Sequence, residues 1–214
     1  SNSGKLEANG GIIKLSAATA KDLSRASVNI GSSGMIVARS VNEKSGKVVI
    51  GSPIEDNIKI AGKIDVSGHK SHSPSGTVTV RGRSVSHSGK IFAKGRSGGK
   101  VNIISKDSIK LNGSVLAQGS IDKGGSVIFM SEKSINSTPK VVVDVSAPNK
   151  AGEIRSLAKT TNTSSGLFKA NSSAGKGGKI DLTGNSVQIS KSEISATGNK
   201  MGGKVRIGGE YLGG

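Results

Sequence analysis

The sequence predicts an all-β solenoid, a parallel β-helix built from short strands. Three observations carry that reading. Over 214 residues the chain holds 32 Gly but only 3 Phe, 1 Tyr and no Trp, too few rings for an ordinary globular core. A small pair ending in Gly, followed by an alternating apolar segment, returns again and again. The distance between returns is nearly constant, which marks a repeat architecture rather than a disordered Gly/Ser/Lys-rich chain.

The first element of each repeat reads SGKVVI from Ser45, SGTVTV from Ser75, GGKVNI from Gly98 and GGSVIF from Gly124. It continues as AGEIRS from Ala151, GGKIDL from Gly177 and GGKVRI from Gly202. Alternation with period 2 is the pattern of a strand with one face buried. The predicted stack on this first face is Val48, Val78, Val101, Val127, Ile154, Ile180 and Val205. A second alternation follows, as SVSHSG at Ser84, SIKLNG at Ser108 and SVQISK at Ser186. The third has the form apolar-x-small, starting at Leu6, Ile36, Ile64, Ile91, Val115, Val143, Phe168 and Ile194. Those starts lie 30, 28, 27, 24, 28, 25 and 26 residues apart. Beside the large residues of this face run the smaller Val66, Ala93, Ala117, Val145, Ala170 and Ala196.

Three strands make one coil, and a lone coil cannot bury its apolar side. Stacked coils can, each strand bonding its counterpart about 4.8 Å away. The expectation is a single unit over residues 1–214, about 7–8 coils of roughly 24–30 residues with three short strands each. Loop insertions are expected near 16–26 and 68–75, where SAATAKDLS and HKSHSPS interrupt the pattern. A helical turn would suit the Ala-rich first of these.

Several functions are excluded or weakened by composition. With no Cys there is no disulfide framework and no Cys-ligated metal. No apolar run reaches the roughly 20 residues of a membrane-spanning helix. Sugar-cleaving β-helices gather carboxylates in one groove, whereas acids such as Asp56, Asp65, Asp107, Asp122, Asp144 and Asp181 are scattered about one per coil. Asp65 and Asp144 take equivalent outward positions about three coils apart, too far for either carboxylate geometry. His69 and His72 have an i, i+3 spacing in a loop, and His87 falls in register with Leu111 and so points inward. The plain reading is a core histidine satisfied by backbone and two loop histidines, with no metal and no cofactor. Sequons at Asn112, Asn136, Asn162 and Asn171 are near the number that chance supplies.

The charge is the strongest functional signal, 31 Lys+Arg against 14 Asp+Glu for a net +17. Arg96, Lys123, Lys150, Lys176 and Lys200 precede the small pairs and would form a column along one edge. Lys47, Lys100, Lys179 and Lys204, just after the pairs, widen it, while Asp122 and Glu153 weaken its field. One account is a solvated face that discourages sideways association. The other is an edge for an anionic polymer such as heparin-like glycosaminoglycan or lipopolysaccharide. A specific nucleic-acid site is not expected, because four aromatic residues cannot make a stacking platform.

The motifs Gly-Gly-x-apolar-x-apolar, Ser-apolar-x-apolar and apolar-x-Ala-x-Gly together resemble the filamentous-haemagglutinin-like exoproteins of two-partner secretion. The closing GGKVRIGGEYLGG, from Gly202 to Gly214, is similar to a block of that family. The resemblance implies a right-handed β-helix, the hand that parallel crossovers also prefer. It further implies a secreted or bacterial outer-surface adhesin whose full-length form is exported by an outer-membrane transporter. The family's Asn-Pro-Asn-type secretion motifs are missing, since the sequence contains no Asn-Pro. The chain is therefore expected to be a segment excised from a longer solenoid, or the later part of a secretion domain. The function expected is a non-catalytic rigid shaft that contributes adhesion to anionic host glycans. The alternatives are a dedicated polyanion-binding module and, last, a β-helical polysaccharide lyase.

Overall fold

The computed structural model describes residues 1–16, 27–41, 44–51, 57–68 and 73–209. Within them every strand–strand pairing is parallel, and each strand pairs with its counterpart one coil away. The described residues contain no helix. The result is a β-solenoid of about seven turns with three faces. The segments at 17–26 and 69–72 lie outside the described residues. So do the expected helical turn, His69, His72, Asp56 and residues 210–214 of the closing block.

On the first face Ile13, Val48, Val78, Val101, Val127, Ile154, Ile180 and Val205 stand in one register. On the third face Leu6, Ile36, Ile64, Ile91, Val115, Val143, Phe168 and Ile194 do the same. From Val48 to Ile180 and from Ile36 to Phe168 these side chains are buried. Each fully buried aliphatic contributes roughly 1.5–3 kcal/mol. Stacks of branched aliphatics therefore take the place that rings hold elsewhere. The second face stacks Val28, Ile58, Val85, Ile109 and Ile135, and then places Asn162 at the next rung.

Asn162 is a departure from the apolar stack, and it is fully satisfied. Its amide nitrogen donates to the carbonyl oxygens of Ser156 (2.7 Å) and Thr183 (3.1 Å), and its oxygen accepts from the hydroxyls of Ser156 and Ser164. A fully buried asparagine is also no glycan acceptor, which removes one of the four sequons. His87 departs from expectation the other way. It points inward between Ile60 and Leu111 as predicted, but neither ring nitrogen has a hydrogen-bond partner. Backbone amides and carbonyls at that rung are committed to the ladders, so none turns inward to meet the ring. Burial pushes the imidazole down to about 4.

The small residues explain one another. In six of the seven pairs the amide of the closing glycine donates to the carbonyl of the small third-face residue just before it: Gly76 to Val66, Gly99 to Ala93, Gly125 to Ala117, Gly152 to Val145, Gly178 to Ala170 and Gly203 to Ala196, at 2.7–2.8 Å. In the Ser45–Gly46 pair the Gly46 amide donates instead to the Ser40 hydroxyl at 3.1 Å. A Cβ on Gly125 would lie 2.2 Å from the Gly99 oxygen and 2.8 Å from the Ala117 Cβ. Both partners must therefore be small. This bond closes the coil and pinches off the residues between, such as 94–98 and 118–124, which project outward. These residues form a stacked ridge with inter-coil bridges of its own, among them Gly95 with Gly119, Lys123 with Lys150, and Ser172 with Gly198.

Candidate functional site: the basic groove beside the ridge

The ridge and the outer surface of the first face enclose a groove of about 580 Å³. Its floor is the run of small pairs, Gly98, Gly124–Gly125, Ala151–Gly152, Gly177–Gly178 and Gly202–Gly203. Lys123 and Lys150 rise from the ridge side, and Lys100, Lys179 and Lys204 from the strand side. The strand-side row is one register line, Thr77, Lys100, Ser126, Glu153, Lys179 and Lys204.

The predicted column is only partly assembled. Lys123, Lys150 and Lys176 bridge directly, one per coil, and the next rung is Met201 rather than Lys200. The amides of Gly98, Gly124, Ala151 and Gly177 donate to the carbonyls of Lys123, Lys150, Lys176 and Met201. That ladder selects the residue directly before each pair. Arg96 and Lys200 stand one residue further back and fall outside it. Arg96 instead turns to Asp122 on the next coil, Nε to Oδ2 at 2.8 Å, so its charge is spent inside the ridge.

Neighbouring ammonium groups about 5 Å apart repel by up to ~1 kcal/mol in water. Glu153 relieves the strand-side wall locally, 3.5 Å from Lys179 and 3.7 Å from Arg155. Just outside the groove a second feature escaped the sequence reading. Arg155, Asp181 and Arg206 occupy one register line, and Lys179 approaches Asp181 to 2.7 Å. The Asp181 side chain is wholly buried under these cations, with Arg206 at 3.4 Å and Arg155 at 3.8 Å. Superposing the repeats residue by residue would have revealed the alternating column, because the three positions share one offset from their small pairs.

The groove offers cations and a bare backbone floor, without a nucleophile–base pair or paired carboxylates. Asp65 and Asp144 do share a register line, with Phe92 and Leu116 between them, which keeps them three coils apart. Among the described residues no three His, Cys, Asp or Glu side chains gather where a metal ion could be held, and no helix is long and apolar enough to cross a membrane. What such an arrangement can do is hold a linear anion lengthwise. No family model, no curated protein and no solved structure matches the chain.

Proposed function

We propose that the chain is a non-catalytic shaft segment of an exported, surface-displayed protein. The observation that carries this reading is the unbroken stacking of two apolar faces over about seven turns, each coil contacting only its neighbours. Such a ladder resists bending and holds whatever is attached to its ends at a fixed separation. The resemblance of the repeat motifs to filamentous-haemagglutinin-like exoproteins supports the same reading, with an outer-membrane transporter as partner of the full-length protein. A shaft is modular. Deleting residues 101–153 joins equivalent positions and removes two coils, so small-angle scattering should report a cooperatively folded rod shorter by about 10 Å. A product that no longer folds would show that the coils are not interchangeable, and the shaft reading would fail.

The basic groove favours a second role, adhesion to an anionic glycan. Changing Lys100, Lys123 and Lys150 to Gln should lower the salt needed to elute the protein from immobilised heparin. A control with Lys59, Lys90 and Lys110 changed to Gln carries the same net charge and alters other faces. The groove variant is expected to elute well before the control. Coincident elution would mean that only bulk charge is being read.

A further inference from the structure

The opposite flank of the ridge carries a different surface. Phe129 and Phe168 are buried in the core, which leaves Phe92 as the one half-buried ring among the described residues. It stands on the outward row of the third face, between Asp65 on one coil and Leu116 on the next. Two ammonium groups attend the ring, Lys63 Nζ at 4.9 Å and Lys94 Nζ at 5.7 Å from its centre. Around it lies a groove of about 550 Å³, whose lining includes Arg39, Ser67, Gln118 and Ser120.

The site has a rigid base. The Asp65 side chain is 5% exposed and binds Arg39 through one oxygen, Nη2 at 2.9 Å and Nε at 3.2 Å, with Lys63 at 3.6 Å. Its other oxygen accepts from the Ser67 amide at 3.1 Å. Burial pushes this carboxyl up, but the hydrogen bonds from Arg39 and Ser67 outweigh it and hold the group below the ordinary carboxylate range. Arg39 and Lys63 are thus fixed at the rim by a carboxylate that stays charged. Gln118 is likewise anchored, its amide nitrogen 2.6 Å from Asp144. The lining holds three cations, Arg39, Lys63 and Lys94, against Asp65, and with Asp144 behind Gln118 the site keeps one positive charge in excess.

We propose that this pocket binds a carboxylate-bearing pyranose unit of an acidic glycan. The apolar face of the sugar ring lies on Phe92, and its carboxylate takes the place between Lys94 and Lys63. A ring face attracts both cations and polarised C–H bonds. The volume falls in the range of small-molecule sites, and the flanking hydroxyl and amide groups suit a polyhydroxylated ligand. A neutral sugar would leave the excess positive charge of the pocket uncompensated. A plain polyanion would leave the ring unused. The site stands apart from the shaft reading and from the groove across the ridge.

The test uses the described chain and three probes: a galacturonic acid tetrasaccharide, its carboxyl-reduced neutral counterpart, and adenosine monophosphate. With only four aromatic residues in the chain, the Phe92 ring protons can be followed individually by NMR. The acidic tetrasaccharide should shift those resonances and the neutral one should not. Phe92→Leu, which copies Leu116 at the same register position, should weaken binding about tenfold, and Lys94→Gln should act in the same direction. A double variant of Lys123 and Lys150 to Gln should leave the Phe92 response intact. The proposal is overturned if Phe92→Leu binds as the parent does, if the Lys123/Lys150 variant abolishes the response, or if the nucleotide binds more tightly than the acidic sugar.

Discussion

Replacing Gly124 by Ala is expected to lower the unfolding free energy by ~3 kcal/mol or more, beyond the usual 1–3 kcal/mol of overpacking. The added methyl would sit 1.7 Å from the Val145 oxygen and 2.4 Å from the Gly152 nitrogen. Both obstacles are backbone, so no rotamer change relieves the clash, and the coils must part. Gly202 opens its pair in the same way, but a methyl added there would meet nothing within 4 Å. At that position the same substitution should change stability by less than about 0.5 kcal/mol. Urea unfolding of the two variants side by side decides the matter. Equal losses would mean that glycine is needed for chain conformation, and that coil-to-coil approach is not the cause.

His87→Leu is expected to stabilise the protein, and increasingly so in acid. The imidazole sits wholly buried among aliphatics with both nitrogens unpartnered, a cost of roughly 1–3 kcal/mol even when neutral. Its folded pKa of about 4 lies below the ordinary 6.5, so the unfolded chain takes up the proton first as pH falls. Stability from this group is therefore complete above about pH 6.5, declines between 6.5 and 4, and levels off below. The total acid penalty is about 3 kcal/mol. Measured at pH 7.5 and again at pH 4, the gap in unfolding free energy between variant and parent should widen by nearly that amount. A constant gap would show that His87 finds a proton acceptor or water when charged. The carboxylates common to both proteins cancel in the difference.

Much of this was legible from residues alone. Val48, Val78 and Val101 could be aligned because each follows a small pair by two residues, and the third-face stack followed from its regular spacing. The ridge was not legible, since it depends on one hydrogen bond between glycine and a small third-face residue that no alternation announces. For the same reason the basic column was placed a residue off at Arg96 and Lys200. Counting back from the glycines gives neighbours in sequence, whereas the ladder through Gly98 and Gly124 gives neighbours in space. Asn162 and His87 share a deeper reason. Their positions are set by register, but whether a polar group there is satisfied depends on which partners its own coil and the next one present. Asn162 meets Ser156, Ser164 and Thr183, while His87 meets only Ile60 and Leu111 along its stack.

The polar nest around Asn162 travels with its own coil. Three of its four hydrogen bonds are made to Ser156 and Ser164 of that coil, and the fourth goes to the backbone carbonyl of Thr183 on the next. Along the stack its flanking rungs are Ile135 and Val187. Rungs of Val and Ile are nearly interchangeable, so a chain of similar coils can misalign by a whole coil while forming almost as many apolar contacts. Asn162 does not forbid such a slip, because Ser156 and Ser164 move with it and only one backbone carbonyl comes from the neighbour. A buried amide left without partners would cost about 1–3 kcal/mol. By carrying most of its partners along, this coil keeps its polar core residue largely satisfied wherever it is stacked, and so behaves as a self-sufficient part of the rod.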